Sequence, residues 1–290
     1  MLFATATLAA RIERAEYTVA RAFAECARAR RSDVLIAPVG GAAAIYGGPN
    51  QPFNKLAGLG FAEPVDADVL SAIERDFDAR EAPVRVELST LADAAVAPML
   101  TGRGYSLVGF ENVLGLGLAP DLVSTLRSAV EQDRTRGIVV SRTTASEAAA
   151  WIDTVVTGFE HPDVFDAPPS QESYARAALE ETFRDFASID GLVQYIARRD
   201  GAIAGGGAMR FLDGVAQLAG AATLPQHRRR GVQSAVLRAR LLDAAASGGD
   251  IAVVTTQPGS KSQENVQRAG FTLLYARAIL VRPPAPGVHH

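Results

Sequence analysis

Apolar and polar positions along the 290-residue chain follow two patterns, one typical of helices and one typical of strands. Apolar residues spaced three or four apart predict helices over 8–31, 66–79, 91–100, 119–137, 147–158, 171–187, 232–248 and 262–269. Runs of β-branched and aromatic residues predict strands over 33–38, 53–61, 83–88, 105–118, 138–142, 192–198, 202–211, 215–224, 251–255 and 271–281, with 105–118 either one bent strand or two. Glycine and proline mark loops over 40–52 and 160–169. Because helices and strands alternate throughout, we predict an α/β or α+β protein with a mixed sheet.

The chain also divides into two halves of similar pattern. Its length suggests two domains, at about 150 residues per domain. A shift of 166 residues aligns 84–114 with 250–280 without a gap, and both segments follow the order strand, turn, helix, Gly-aromatic pair, strand. We therefore predict domains at 1–118 and 138–285, joined by a helix over 119–137.

Composition argues against several classes of function. The net charge of −3 does not suit a general nucleic-acid binder. Of the 29 lysine and arginine residues, only Lys55 and Lys261 are lysines and 27 are arginines. Because arginine is so frequent, a single arginine is weak evidence of function. One cysteine, Cys26, excludes an internal disulfide and a cysteine-based zinc site, and we expect no metal. Since no run of about 18 apolar residues and no signal-peptide pattern is present, we expect a cytoplasmic protein without a membrane partner.

The segment 216–245 carries the most chemical information. A strand leads into a turn with Arg228, Arg229, Arg230 and Gly231, and a helix begins near Val232. The first turn of a helix has amide groups without internal partners and is the positive end of the helix dipole. Glycine lets the backbone approach an anion closely, and arginines donate charge-assisted hydrogen bonds. The turn is either an anion-binding site or an arginine-rich helix start exposed to solvent.

Two common nucleotide motifs do not fit this turn, because it lacks the GxxxxGK[ST] pattern of a P-loop and the glycine spacing of a dinucleotide fingerprint. Instead, residues 228–233 (RRRGVQ) resemble the [QR]-x-x-G-x-[GA] motif of the GNAT superfamily of acyl-CoA-dependent N-acyltransferases. The preceding TLP at 223–225 is similar to the end of the GNAT central strand, and residues 265–271 (NVQRAGF) resemble the N-x-x-R-x-G-F ending of a later helix. The ordered set covers 138–283, and the paired halves resemble tandem GNAT proteins.

This resemblance implies two GNAT-like domains, each a central mixed, mostly antiparallel sheet flanked by helices. It implies that the C-terminal domain binds acetyl-CoA as acyl donor in a slot where strand 215–224 splays from strand 251–255. The residues implied to contact acetyl-CoA are Ala222, Thr223 and Leu224 along the pantetheine arm, the amides of Arg229, Arg230, Gly231, Val232, Gln233, Ser234 and Ala235 at the pyrophosphate, and Asn265 near the thioester. A backbone N–H near Leu224 would stabilise the oxyanion.

Acyl transfer to an amine requires a base, because an alkylamine with a pKa of about 10 is protonated at neutral pH. Residues 158–163 resemble the acceptor-side loop of the family, which makes Glu160 and His161 candidates for the base or for acceptor binding; the alternative is that each is an exposed loop residue. Many family members protonate the leaving thiolate with a tyrosine that would fall near Val266, and Tyr275 lies too late in the chain. Ser262 or a water molecule is the candidate to replace it. Gln233 is a second departure, since the family has Gly or Ala there.

The N-terminal half lacks the arginine turn. The same shift places 228–235 on 62–69, which contain Glu63, Asp66 and Asp68 but no arginine or glycine. An acidic turn repels a pyrophosphate, so we expect no CoA in this half. Three functions remain open: an N-acyltransferase that moves acetyl from acetyl-CoA to a small-molecule or peptide amine, a non-catalytic acyl-CoA-binding or regulatory module, and an α/β protein for another phosphorylated ligand. No nucleic-acid partner is expected, and a homodimer is left open.

Overall fold

The structure is a computed structural model that describes residues 2–162 and 174–285. The helices of this described part are α1 (Ala6–Ala27), α2 (Ala67–Asp78), α3 (Val96–Gly102), α4 (Pro120–Thr135), α5 (Ala148–Glu160), α6 (Arg176–Ala187), α7 (Val232–Ala246) and α8 (Lys261–Arg268). Its strands are β1 (Leu35–Val39), β2 (Ala42–Tyr46), β3 (Lys55–Ala57), β4 (Val84–Ser89), β5 (Ser106–Gly117), β6 (Ile138–Arg142), β7 (Leu192–Arg199), β8 (Ala202–Leu212), β9 (Val215–Thr223), β10 (Ile251–Thr256) and β11 (Thr272–Arg282). The described residues form two compact units: unit 1 holds residues 3–113 and 274–285, and unit 2 holds residues 114–162 and 174–273.

In unit 1 the strand order is β1-β2-β3-β4-β11. β3 and β4 pair in parallel, and the pairs β1–β2, β2–β3 and β4–β11 are antiparallel. A parallel pair needs a crossover connection, and α2 provides it. The apolar face of α2, with Leu70, Ile73 and Phe77, packs on Val86 of β4 and forms the core of the unit.

Unit 1 also contains a group of charged side chains, called the charge cluster below, all of them buried except Glu111, whose side chain is 25% exposed. Its members come from α1, β3, β4, β5 and β11 and are Glu13, Glu16, Lys55, Glu87, Glu111 and Arg277. Lys55 Nζ lies 2.7 Å from Glu16 Oε1 and 2.9 Å from Glu87 Oε2, and Arg277 Nε lies 2.8 Å from Glu13 Oε1. Close pairing of opposite charges is the condition under which a protein interior tolerates them.

In unit 2 the strand order is β5-β10-β9-β8-β7-β6. β9 and β10 are parallel with α7 as the crossover, whereas β8 pairs antiparallel with both β9 and β7, and β7 with β6. An added Cβ at Gly206 would meet Trp151 of α5, and one at Gly207 would meet Val236 of α7. Successive residues of a strand point to opposite faces, so α5 and α7 cover opposite faces of this sheet.

The predicted α/β class and the mixed, mostly antiparallel sheet flanked by helices are confirmed. The predicted loop over 40–52 is wrong, because it contains β2; this alanine-rich strand is fully buried and lacks the alternation that identifies a half-exposed strand. The predicted strand over 53–61 shrinks to β3, since Gly58 and Gly60 turn the chain with φ of +87° and +81°. The predicted helix over 91–100 begins only at Val96, and 105–118 is the single strand β5.

The last strand bears on the predicted domain boundaries. β11 pairs with β4 of unit 1, from Arg277 opposite Ser89 to Arg282 opposite Val84. Unit 1 therefore includes a C-terminal segment that the predicted range 138–285 assigns to the second half. The boundaries at 1–118, 119–137 and 138–285 stay a prediction, because a compact unit is defined by contacts and need not coincide with a domain of the family. None of the described helices is long and apolar enough to cross a membrane.

Candidate functional site

β9 and β10 part at their carboxyl ends. Their parallel pairing runs from Val215 opposite Ile251 to Leu218 opposite Val254, and both strands continue beyond it. β9 carries a bulge there: its register with β8 shifts between Ala219 and Ala222, and Gly220 adopts a φ of +57°. A bulge bends a strand and increases its twist. The space between the ends of β9 and β10 is called the slot below.

The backbone of Thr223 faces the edge of β9 that looks away from β8. The N–H of Leu224 donates to the carbonyl of Ala204 at 3.0 Å, so Leu224 is bonded to β8. Neighbouring residues of a strand turn their N–H and C=O groups to opposite edges, which directs those of Thr223 away from β8. The N–H of Leu224 is therefore occupied, and Thr223 offers the N–H nearest to the position predicted for the oxyanion donor.

Two hydroxyls at the strand ends have no hydrogen-bond partner among the described residues. Thr223 ends β9 and Thr256 ends β10, and the Oγ1 atom of each is buried. A buried hydroxyl without a partner costs free energy, so such groups are rare in folded proteins. Their presence at both sides of the slot is what a polar ligand between the strands would explain.

The N-terminus of α7 lacks a side-chain cap. Its first helical hydrogen bond runs from the N–H of Ala235 to the carbonyl of Gly231 at 3.0 Å, so the amides of Val232, Gln233 and Ser234 have no partner within the helix. Gly231 is the N-cap residue, with a φ of +84° and no side chain to accept a bond. Helix starts of this kind bind phosphate groups.

The three consecutive arginines have different surroundings. Arg229 and Arg230 are exposed, and no partner for their side chains is found among residues 2–162 and 174–285. Arg229 also has a φ of +58°, which is unusual for a residue other than glycine. Arg228 instead donates to backbone carbonyls, from Nε to Thr223 at 3.3 Å and from Nη2 to Gly158 at 3.4 Å and to His161. Arg228 thus ties the end of α5 to the end of β9 and is not directed to solvent.

Asn265 and Gln233 bond to each other. The Nδ2 of Asn265, on α8, donates to the Oε1 of Gln233, in the first turn of α7, at 2.7 Å. Both side chains are half-buried. The two predicted cofactor residues are therefore brought together by the fold, although 32 positions separate them. The motif spacing predicts that both lie near the slot but gives no reason to expect the bond.

The candidate acceptor residues lie at the end of α5. Glu160 is its last residue and forms an ion pair with Arg176, whose guanidinium also contacts Asp153 at 2.5 Å and Glu180 at 2.8 Å. The Nδ1 of His161 lies 2.9 Å from the carbonyl of Thr157. The rest of the predicted loop, from Asp163, lies outside the described residues.

Ser262 is separate from this pair. It is the second residue of α8, two positions after the N-cap Ser260, whose side chain accepts from the N–H of Gln263. In the described part of the chain, no hydrogen bond joins Ser262 to Glu160 or His161. The three predicted catalytic residues are thus not assembled into one hydrogen-bonded group, and their roles stay predictions.

Neither the position expected for the family's tyrosine nor Tyr275 supplies an acid at the slot. Val266 is buried in the core of unit 2 with 5% exposure. Tyr275 belongs to unit 1, where its hydroxyl donates to Glu13 Oε1 at 2.7 Å. Burial, with the charge of Glu13, raises the pKa of Tyr275 well above its ordinary value.

The corresponding helix start in unit 1 is capped by a carboxylate. Asp66 precedes α2, and its Oδ1 accepts from the N–H groups of Asp68 at 2.8 Å and Val69 at 3.1 Å. The adjoining surface groove, about 570 Å³ in volume, is lined by Glu63 and Asp66 and, from α1, by Arg21 and Glu25. Of the three α2 amides that correspond to those of Val232, Gln233 and Ser234, two are therefore already bonded to a carboxylate.

Comparison with known families agrees with this geometry. Residues 161–271 match the family model described as the acetyltransferase (GNAT) family. This segment is a GNAT acetyltransferase domain. The match includes the arginine turn, α7, β10 and α8, and it confirms the resemblance that the motifs indicate.

Solved structures with the GNAT fold resemble the chain over most of its length. A GCN5-related N-acetyltransferase from Kribbella flavida has 18% identity and a TM-score of 0.61, over 93% of this chain and 96% of that one. A tandem GNAT protein from the clavulanic acid biosynthesis pathway has 11% identity and a TM-score of 0.56, over 86% and 82%. A GCN5-related N-acetyltransferase from Sphaerobacter thermophilus has 14% identity and a TM-score of 0.54, over 86% and 79%. At these identities the likeness shows the fold alone. A search of curated proteins found no match to the chain.

Proposed function

We propose that the protein is an acyl-CoA-dependent N-acyltransferase, which moves acetyl from acetyl-CoA to a primary amine of a small molecule or peptide at the slot of unit 2. One observation carries the proposal: α7 starts without a side-chain cap and follows, after a short turn, a strand that parts from its parallel neighbour. That arrangement offers amides to a phosphate at one end and an open strand edge to an extended chain at the other. The GNAT family and fold support it.

The described residues fit a CoA thioester. The amides of Val232, Gln233 and Ser234, with the exposed Arg229 and Arg230, suit a pyrophosphate. The buried hydroxyls of Thr223 and Thr256 would gain partners from the polar groups of the pantetheine arm. The acyl donor supplies an activated carbonyl, and the N–H of Thr223 would stabilise negative charge that develops on its oxygen.

The acceptor end of the proposed site is at α5. An amine arrives protonated and must lose its proton before it attacks the carbonyl. Glu160 and His161 stay our candidates for taking that proton or binding the acceptor, and the ion pair with Arg176 has to open before Glu160 can act as a base. Ser262 stays the candidate acid for the thiolate. Direct attack is the simplest route for which the fold provides groups.

A non-catalytic acyl-CoA-binding module is the second candidate. It is favoured by the buried Val266 at the position where the family often has a tyrosine, and by the separation of Ser262 from Glu160 and His161. Such a module would bind the same ligand through α7 and β9 but would release no CoA when amines are added.

Calorimetry with acetyl-CoA tests the binding site. We expect the native chain to bind, and Gly231→Asp to bind at least about tenfold more weakly than Gly231→Asn, because the two side chains have the same shape and differ by one negative charge beside the phosphates. Asparagine tolerates the left-handed backbone at this position better than most residues. Absence of binding by the native chain, or equal affinities of the two variants, would contradict the site.

Turnover separates the enzyme from the binding module. Release of free CoA is followed with a thiol reagent over a panel of primary amines and short peptides. Release that depends on an added amine supports N-acyl transfer. Tight binding of acetyl-CoA with no release for any amine supports the non-catalytic module.

A further inference from the structure

Gln233 has a side-chain carboxamide at a position where the motif that this turn resembles has Gly or Ala. The side chain lies in the first turn of α7, the turn whose amides have no partner within the helix. Its Oε1 accepts the Asn265 Nδ2 hydrogen bond of 2.7 Å. A Gly or Ala at this position could not form the bond, so this contact is a property of the present chain.

The bond runs from one side of the slot to the other. α7 follows β9 through the arginine turn, and α8 follows β10 after four residues. The slot lies between the carboxyl ends of these two strands. A hydrogen bond between the first turn of α7 and the second turn of α8 therefore links the two sides of the slot at its open end.

Neither helix needs this bond to fold. α7 is anchored by the buried Val232, Ala235 and Val236 on its inner face. α8 has its own N-cap, with Ser260 accepting from the N–H of Gln263 at 3.1 Å, and it buries Val266 in the core. A contact that neither element requires, placed at a ligand entrance, is suited to a role in binding.

We propose that Gln233 and Asn265 form a latch that acyl-CoA must open, and that Gln233 thereby sets the affinity of this site. The inference rests on the proposed function. In the closed latch the Nδ2 group of Asn265 is engaged by Gln233. Entry of the pantetheine arm between the strands breaks that bond and frees the Asn265 amide for the ligand.

The latch lowers the apparent affinity by the fraction of molecules in which it is open. A hydrogen bond between neutral side chains has a net strength of about 0.5 to 1.5 kcal/mol, which corresponds to an open fraction between about one third and one fourteenth. Removal of the Gln233 side-chain carboxamide should therefore strengthen acetyl-CoA binding between about threefold and fourteenfold. The gain should occur in the association rate, because the closed molecules no longer have to open first.

Gln233→Ala is the test, because it removes the amide and keeps a residue the motif allows. Gln267→Ala is the matched control, since Gln267 is an exposed glutamine of α8 outside the latch. Calorimetry gives the affinity, stopped-flow mixing gives the association rate, and the melting temperature without ligand reports folding. We expect Gln233→Ala to bind acetyl-CoA more tightly and faster than the native chain, Gln267→Ala to match the native chain, and all three to melt at similar temperatures.

The outcomes separate the latch from the proposed function. If the native chain does not bind acetyl-CoA, the proposed function fails. If the native chain binds and Gln233→Ala binds equally, the latch is wrong. Weaker binding by Gln233→Ala would make Gln233 a direct ligand of CoA and would also overturn the latch, as would an equal gain in Gln267→Ala.

Discussion

Arg228, Arg229 and Arg230 are neighbours in the chain but differ in what they contact. The carbonyls of Thr223, Gly158 and His161 engage Arg228, whereas Arg229 and Arg230 are exposed. In a chain with 27 arginines, residue type alone does not identify a phosphate ligand. What distinguishes Arg229 and Arg230 is their place directly before a helix start without a cap. Arg228 is better described as a positioning residue between α5 and β9.

Glu111 makes the stability of unit 1 depend on pH. Burial, together with the carboxylate of Glu87, raises the pKa of Glu111 to about 7, against the opposing effect of Arg277 and Lys55. The native state therefore binds the proton more tightly than the unfolded chain, where the pKa is near 4.5. By linkage, the free energy of unfolding gains a contribution as the pH falls below about 7 and loses it as the pH rises above that value.

Glu111→Gln imitates the protonated carboxyl at every pH, so it should remove the pH dependence of stability that arises from Glu111. We expect the variant to be more stable than the native chain at pH 8.5 by about 1 to 3 kcal/mol, and the difference to shrink by pH 5.5. Urea unfolding at both pH values measures it, with the exposed Glu63→Gln as control. A constant difference between Glu111→Gln and the native chain at the two pH values would refute the assignment.

At the scale of elements, unit 2 depends on close approach between α5 and β9. A Cβ at Gly158 would lie 2.4 Å from the Cβ of Ala222. Gly158→Ala gains up to about 1 kcal/mol of helix propensity but forces an overlap that costs about 1 to 3 kcal/mol. We expect a net loss of stability of about 1 kcal/mol.

Ala222→Gly restores the space, which makes the pair a double-mutant cycle. In the Ala222→Gly background, Gly158→Ala should be neutral or stabilising, because only the helix propensity remains. Urea unfolding of the four proteins gives the coupling free energy. Additive effects of the two substitutions would show that α5 and β9 do not meet at this point.

Some elements can be predicted from local sequence signals and others cannot. The strand, arginine turn and helix at 215–246 follow from local signals: a run of strand-forming residues, Gly231 and apolar residues spaced three or four apart. β2 does not, because Ala42, Ala43 and Ala44 have no strand pattern of their own and form a strand through burial in unit 1.

The candidate site likewise has parts that local sequence signals predict and parts that depend on the folded chain. The α7 turn is predictable because it is contiguous. The bond between Gln233 and Asn265 and the carbonyl contacts of Arg228 require segments that only the folded chain brings together. No local pattern in the sequence could indicate them.

At the scale of the whole chain, each unit contains a parallel strand pair with a crossover helix, β3-α2-β4 in unit 1 and β9-α7-β10 in unit 2. The helix starts differ in charge and in their caps. Asp66 bonds the amides at the start of α2, with Glu63 and Asp68 nearby, whereas α7 begins at Gly231 with two exposed arginines. Each unit thus has one helix start that follows a strand of a parallel pair, and electrostatics leaves the one in unit 2 suited to a phosphate.

We therefore expect one acetyl-CoA per chain. Calorimetric titration of the native chain should give a stoichiometry of one, and Gly231→Asp should remove that binding without revealing a second event. A pyrophosphate at α2 would have to displace the Asp66 carboxylate from two amides and approach two further acidic residues, which costs more than the helix dipole returns. A stoichiometry of two, or undiminished binding in Gly231→Asp, would mean that unit 1 binds the ligand despite its acidic turn.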